Sequence, residues 1–284
     1  MPELPEVEVL VRHLAPLLTG RRITGVEVRR AKVIQPGGVD EFKAALAGGR
    51  FVSLVRRGKY LVFALRTARS RRPFRLLGHL GMTGRMFLQP ADHAWPKHAA
   101  VILHLERMDF VYEDPRYFGR MTLDTSALDG LGPEPLADGF TPEALAAALR
   151  RSAQPVKVKL LDQAVVAGVG NIYASEALFR AGLSPRRPAR RLTAEQVRRL
   201  WLAIREVLAE AVAWGSTVPL NWSGAGDRDG LFYYGQAPGT PVFYEERLAV
   251  YDRVGQRCPR CQRTIRRIVQ AARSTYFCPG CQKS

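Results

Sequence analysis

Apolar and polar residues follow two different rhythms along this chain. Between residues 51 and 123 the apolar positions come in short runs separated by turn residues. Residues 51–55 and 60–65 flank the turn Arg56-Arg57-Gly58-Lys59 and predict a hairpin. Residues 74–77, 85–88, 99–105, 110–112 and 120–123 are further strand candidates. Many short strands with turn signals between them predict a β-sandwich or barrel. Ahead of them, residues 5–14 predict a short helix. Pro5 suits its first turn, Glu6 and Glu8 suit the positive end of its dipole, and Gly20 closes the region.

Past a Gly- and Pro-rich stretch, 130–139, which reads as a linker, the period becomes helical. Thr141 can cap a helix with Pro142 at its first position and residues 144–151 in its body. Thr193 and Gln196 spell a capping box for a long helix ending at Gly215. That helix sets Val197, Leu200, Trp201, Ile204 and Leu208 on one apolar face, a core-packing stripe. Residues 216–240 form a Gly-rich, aromatic-containing loop, and a compact unit begins near Leu248. In Ala167-Gly168-Val169-Gly170-Asn171 a helical pattern breaks, and residues 172–180 resume it. Glycines let backbone N–H groups converge and a helix start adds positive potential, so a phosphate fits there. A plain helix–turn–helix connection explains the same residues. Asn171 either caps the helix or binds the phosphate.

Charge changes the picture. The 284 residues include 43 Lys and Arg against 26 Asp and Glu, a net charge of +17. A surplus of that size favours a polyanionic partner, nucleic acid before an anionic membrane surface, over a basic protein without one. Residues 1–8 lack the basic and apolar regions of a secretory signal, and no apolar run approaches the ~20 residues that span a bilayer. A cytoplasmic protein without membrane association is expected, and disulfides are rarely stable there.

The cysteines matter for that reason. All four, Cys258, Cys261, Cys278 and Cys281, lie near the C-terminus as two CxxC pairs. Two such knuckles complete a tetrahedral site, so one structural Zn2+ with four cysteine ligands and no open position is expected. Disulfides or a redox pair are the alternatives. Thr264, Arg266 and Ile268 alternate before a turn near 271–273, which fits a β-hairpin between the knuckles. From Arg253 onward the chain carries basic residues and no acidic one. The hairpin therefore reads as a phosphate-gripping element or, more simply, as a structural clip with a solvated basic surface.

Pro2 and Pro5 suit an ordinary helix start. Pro2 also offers other chemistry: once Met1 is trimmed, its secondary amine can attack an anomeric carbon and form an iminium ion. An α-amine titrates at ~7.7–8.0 against ~10.4 for lysine, so more of it is nucleophilic at neutral pH.

The opening Met1-Pro2-Glu3-Leu4-Pro5-Glu6-Val7-Glu8 resembles the start of the formamidopyrimidine-DNA glycosylases, members of a wider family of bifunctional glycosylase/lyases. So do Arg57-Gly58-Lys59-Tyr60, His79-Leu80-Gly81-Met82-Thr83-Gly84, Asp114-Pro115-Arg116-Tyr117-Phe118-Gly119, the run from Gly168 to Glu176, and the run from Arg273 to Gln282, all in family order. The resemblance implies an α+β, multi-domain fold: an N-terminal helix plus β-sandwich over 1–132, a helical helix–two-turn–helix domain over 141–225, a lesion-capping loop region over 226–247, and a zinc ribbon over 248–284. It implies excision of oxidised purines such as 8-oxoguanine and formamidopyrimidines from double-stranded DNA, followed by β,δ-elimination at the abasic site, by a monomer.

Residue by residue, the resemblance makes Pro2 the nucleophile, Glu3 the acid/base and Glu6 a carboxylate that orders the site. Lys59 matches the lysine for proton transfer and phosphate contact, and Arg273 the hairpin arginine that grips phosphates. His79, His98, Lys157 and Asn171 match backbone contacts. Met82, Arg116 and Phe118 match the trio that fills the gap left by an everted nucleotide, an eversion that base excision requires. One region departs from the pattern. Asp229-Gly230 is followed by a longer 231–242 stretch, Glu246 stands where a glutamine is usual, and Asp252 replaces the glycine before Arg253. Trp222, Phe232, Tyr233 and Tyr234 in this stretch either stack on a base or pack the loop. The competing readings are an endonuclease VIII-type glycosylase preferring oxidised pyrimidines, and a damaged-DNA-binding protein without catalysis. Leu4 and the intact trio favour the purine enzyme, and intact Pro2, Glu3, Lys59 and Arg273 argue against silence.

Overall fold

The computed structural model describes residues 2–67, 73–215 and 247–283, which divide into two compact units. The first comprises Pro2 and, of the described residues, those between 6 and 129; the second comprises 3–5 and those from 130 onward.

Helix α1 (Leu4–Leu18) enters the first unit at Glu6, and β1 (Gly25–Val28) and α2 (Val39–Leu46) follow. Next come β2 (Arg50–Arg57), β3 (Tyr60–Arg66), β4 (Phe74–His79), β5 (Arg85–Pro90), β6 (Ala99–Leu105), β7 (Met108–Glu113) and β8 (Arg120–Thr122). They form two antiparallel sheets, ordered β1-β6-β7-β5 and β2-β3-β4-β8. Phe51 and Phe63 of one sheet meet Phe110 of the other edge to face, at centroid distances of 6.4 and 5.7 Å. The two inner faces thus share one core, which makes the short strand runs a sandwich rather than a barrel.

Helix α1 outruns the expected 5–14. It continues through Pro16 to Leu18, because Leu14 and Leu18 are buried in the core and their packing offsets the N–H that proline lacks. The sequence reading had no place for β1 or α2. All four β1 residues are half-buried, so no alternation shows, and α2 buries only Phe42 and Leu46.

The second unit holds α3 (Pro142–Arg150), α4 (Val156–Leu160), α5 (Asn171–Ala181) and α6 (Ala194–Ala213), then the hairpin β9 (Arg266–Gln270) and β10 (Arg273–Phe277). Thr141 caps α3, accepting from the Ala144 amide at 3.2 Å. Both bonds of the Thr193–Gln196 capping box are made, at 3.0 and 3.3 Å. The α6 stripe packs as expected, with Trp201 at its margin donating its indole N–H to the Phe140 carbonyl at 2.7 Å. Residues 130–139 are no free linker. Gly132 donates to the Gln163 carbonyl, Ala167 to that of Pro133, and the Arg205 guanidinium to those of Pro135 and Ala137. Partners so distant in sequence leave no local period to read. Strands β9 and β10 join through Ala271 and Ala272, whose φ values of 47° and 58° match the mirror-image turns that two-residue hairpins favour.

Among the described residues no helix is long and apolar enough to cross a membrane. Met1, the expected capping loop up to residue 246, and with it Trp222, Phe232, Tyr233, Tyr234 and Glu246, lie outside the described residues.

Candidate functional site

Glu3 is buried, 1% exposed, in the second unit. One of its carboxylate oxygens accepts from the Ile172 amide at 2.8 Å, the other from Gly170 at 2.7 Å and Tyr173 at 3.3 Å. These amides open α5, where no carbonyl of the helix can reach them, and the N-cap residue Gly170 has no side chain to offer. Residue 3 therefore caps the helix that begins at Asn171, with its charge at the positive end of the helix dipole. The last loop amide, that of Gly170, and the helix amides beyond it point at this carboxylate, so the expected cap, Asn171, is instead the first helical residue. Gly168 makes the turn possible: its φ is +87°, and a Cβ there would stand 2.7 Å from the Leu4 Cβ. Gln163 spans the turn, accepting from the Gly168 amide at 2.9 Å and donating to the Val169 carbonyl at 2.8 Å.

Asn171 uses both ends of its side chain. Its oxygen accepts from the Lys157 ammonium, and its nitrogen donates to the Ser274 carbonyl at 2.9 Å, beside Arg273 on β10. Lys157 is fully buried, while Arg273 is exposed. Burial pushes the Lys157 pKa down to about 8; the neighbouring Arg273 guanidinium pushes the same way, and Glu3 opposes them. Asn171 thus ties Lys157 to the strand residue that follows Arg273, which brings a desolvated cation and an exposed one toward the same place.

A second carboxylate clamp passed unnoticed in the sequence. Glu176, buried on α5, accepts from the amides of Ala249, Val250 and Tyr251 at 2.8, 2.9 and 2.8 Å. It fixes the chain where it enters the C-terminal ribbon. Just beyond, Asp252 has a φ of +57°, a left-handed conformation that a glycine would adopt without strain. The aspartate makes use of its side chain by accepting from the Tyr276 hydroxyl at 2.9 Å.

In the first unit Pro2, Glu6 and Lys59 are buried, Lys59 in the two-residue turn between β2 and β3. His79 ends β4, opposite Tyr60 and Arg120 in the sheet. Burial drives its pKa down to about 4, helped by Lys59 and Arg120 and opposed by Asp114. Its Nδ1 accepts from the Gly81 amide at 3.1 Å, which leaves the proton of the neutral ring on Nε2, a donor for an acceptor such as phosphate.

Asp114, fully buried, organises the loops that follow. It accepts from the Thr83 hydroxyl at 2.7 Å and from the amides of Arg116 and Gly119 at 3.1 and 2.8 Å. Gly81 lets these loops touch, since a Cβ there would lie 2.6 Å from the Gly119 nitrogen. Tyr117 turns inward: its hydroxyl accepts from Arg30 Nε at 3.0 Å and lies 3.5 Å from His98 Nδ1. Its neighbours are left outside. Met82 and Phe118 are 43% and 51% exposed, and the Arg116 guanidinium lies 4.7 Å from the Phe118 ring centroid. Apolar side chains displayed on a double loop tied down by Asp114 are suited to wedge between stacked bases. Asp114 and Tyr117 lie inside the 114–119 motif, and its Asp-Pro turn start is their only local signal.

The four cysteine sulfurs lie within 4.8 Å of one another. Cys258 and Cys281 sulfurs are 3.8 Å apart and those of Cys261 and Cys278 3.3 Å, too long for the ~2.05 Å of a disulfide. Tetrahedral bonds of ~2.3 Å to one zinc ion place sulfurs about 3.8 Å apart. The Cys258 sulfur also accepts from the Arg260 amide at 3.4 Å. Donor set and spacing fit a structural Zn2+.

Three family models match the chain: the formamidopyrimidine-DNA glycosylase N-terminal domain over 1–121, the H2TH domain of that glycosylase over 131–220, and the zinc finger found in FPG and IleRS over 255–283. The formamidopyrimidine-DNA glycosylase of Chloroflexus aurantiacus is 44% identical over 289 residues, spanning 99% of this chain and 98% of that one. The complex of Lactococcus lactis Fpg with an abasic-site-containing DNA superposes with a TM-score of 0.86 at 30% identity, covering 99% of this chain and 100% of the other. A crystal structure of the same organism's Fpg (MutM) with DNA containing N7-benzyl-Fapy-dG gives 0.86 at 31% identity, covering all of both chains.

Proposed function

The chain belongs to the formamidopyrimidine-DNA glycosylase family, and from that premise we propose how its own residues carry out the reaction. It is a DNA glycosylase and abasic-site lyase of base excision repair, with one structural zinc held by Cys258, Cys261, Cys278 and Cys281. It works on double-stranded DNA carrying an oxidised purine or an abasic site, as a monomer in the cytoplasm.

With Met1 removed, the Pro2 amine attacks the anomeric carbon of the damaged nucleotide. The glycosidic bond breaks, Glu3 gives a proton to the opening sugar, and the iminium draws electrons so that the strand phosphates leave by β- and then δ-elimination. Glu6 orders the site, and Lys59 moves protons and touches phosphate during cleavage. Met82, Arg116 and Phe118 fill the gap in the duplex, with Arg116 toward the orphaned base. His79, His98, Lys157, Asn171 and Arg273 meet the phosphates. The observation that carries this reading is the clamp on Glu3. Three amides fix the residue next to the nucleophile in the deeply buried, rotationally locked state that a positioned acid/base needs. The test is borohydride trapping on a duplex with 8-oxoguanine opposite cytosine, followed by mass spectrometry. The expected adduct sits on Pro2 of a chain lacking Met1. Trapping at a lysine, or trapping on thymine glycol in clear preference to 8-oxoguanine, overturns the nucleophile or the lesion class respectively.

Lys157 gives the reading a pH signature. With a pKa of about 8 in the free protein, it must take up a proton to meet a phosphate above that pH. Affinity for an abasic-analogue duplex is then expected to be flat below pH 8 and to weaken by up to about tenfold per unit above it. A Lys157→Met variant should show no break, and a parent curve flat to pH 10 would remove Lys157 from phosphate binding. Stability responds with the opposite sign. Between pH 8 and the ordinary lysine value of 10.5 the unfolded chain holds more of this proton, so the lysine's burial penalty is full below pH 8 and fades as pH rises through that window.

A further inference from the structure

A band of arginines on the second unit has no part in the chemistry above. Arg150 and Arg151 close α3, Arg190 and Arg191 sit in a short 3-10 turn (Ala189–Arg191), and Arg198 and Arg199 lie in the first half of α6. All six are exposed, and among the described residues none of their side chains makes an ion pair or hydrogen bond. The backbone holds them together. The Arg190 amide donates to the Ser152 carbonyl at 2.9 Å and that of Ala189 to Gln154 at 2.8 Å. Arg150 and Arg198 line one groove of about 460 Å³ between α3 and α6; Glu143 and Glu195 share it without pairing with either.

The band connects to the phosphate-facing cluster. The Arg187 guanidinium donates to the Arg191 carbonyl at 3.2 Å, and the Arg187 carbonyl accepts from Val156, next to Lys157, at 2.8 Å. Arg186 lies 5.6 Å over the Phe277 ring on β10, and Gln270 of β9 donates to the Pro185 carbonyl. Unpaired guanidinium groups crowded onto one surface repel one another, a cost relieved by an acceptor of repeating negative charge, and their planar forks match phosphate oxygens.

We propose that this band, centred on Arg150, Arg151, Arg190 and Arg191, is a second phosphate track that holds the duplex flanking the lesion. The proposal rests on the glycosylase reading for what lies in the neighbouring site. The track lengthens the footprint on the DNA and takes no part in excision.

The experiment compares the parent with an R150A/R151A/R190A/R191A variant. Affinity is measured for duplexes from 12 to 40 base pairs with a central tetrahydrofuran abasic analogue, across a salt series. The expected result is equal affinity on the shortest duplex and a variant about 100-fold weaker on the longest, with its log–log salt slope reduced by about 3 to 4. A variant with four lysines instead, which keeps the charge, is expected to retain most of the length dependence. Equal loss at every length, or no loss at any, overturns the proposal. So does a parent that, saturated with the 12-mer, captures an undamaged 40-mer which the variant does not, because the track then serves a second duplex. Borohydride trapping of both proteins on a 12-mer with 8-oxoguanine separates the two readings. Absence of trapping in both defeats the glycosylase assignment of the site, while the length series still decides the track.

Discussion

Glu3→Gln is expected to abolish base excision while leaving a folded, zinc-loaded protein that still binds DNA. The glutamine has the shape of the glutamate, and its carbonyl oxygen can keep the amides that now share one carboxylate oxygen. Its NH2 group, however, must face an amide N–H that is also a donor. Losing one charged hydrogen bond in that buried place costs about 1.5–3 kcal/mol of stability. The chemical loss is larger. Without a proton to give the opening sugar, single-turnover excision of 8-oxoguanine should fall by roughly 10³-fold or more, the upper range for one general acid. Two readouts separate chemistry from architecture. Measured well below pH 8, where Lys157 stays protonated without Glu3, affinity for the abasic-analogue duplex should change by less than about threefold, since the wedge loops do not depend on Glu3. Glu3→Asp keeps the acid but is one methylene short of the Gly170, Ile172 and Tyr173 amides, so it should melt early and retain some excision. A Glu3→Gln protein that excises within tenfold of the parent would take Glu3 out of the mechanism and leave it a helix cap.

That clamp also marks where sequence reading stops. The sandwich strands, the Thr141 and Thr193 caps and the zinc knuckles were legible because each is a local code: short apolar runs between turn residues, a hydroxyl before a helix, two thiols with two residues between them. The roles of Glu3 and Glu176 were not, because their partners stand far along the chain at Gly170–Tyr173 and Ala249–Tyr251. Chemistry-bearing residues were found through motif resemblance, which named Glu3 without saying what holds it. The glycine loop shows the same limit. Its Gly170 amide joins those of Ile172 and Tyr173 on an anion, but the anion is a side chain of the protein itself. Asp114 and Tyr117 were hidden similarly, in a motif whose exposed members, Arg116 and Phe118, are the ones that resemblance singles out. The inward pair anchors the loop backbone that carries the outward pair. A stretch such as 130–139 misleads for the converse reason, since irregular backbone tied to remote carbonyls has the composition of a spacer.

Removing the zinc, by Cys278→Ser or by chelation, should weaken binding to the abasic-analogue duplex by about 100-fold or more, while leaving the sandwich folded. The ribbon core is small: its buried members are Phe179, Val250, Ile265 and Tyr276, together with Cys258 and Cys278 themselves. A core of that size does not hold a hairpin without its metal. Once β9 and β10 melt, the Ser274 carbonyl leaves Asn171, the Tyr276 hydroxyl leaves Asp252, and Arg273 no longer stands beside Lys157. Lys157 then loses a repelling neighbour, so its pKa should rise from about 8, and the pH break in residual DNA binding should move upward with it. The sandwich core draws none of its residues from the ribbon, and its melting transition should persist within a few degrees of the parent. Affinity, zinc content by mass spectrometry and a calorimetric scan on the same samples decide the matter. Zinc-free protein that binds the duplex as tightly as the parent would reduce the ribbon to a clip. A sandwich transition lost together with the metal would show that the two parts fold as one.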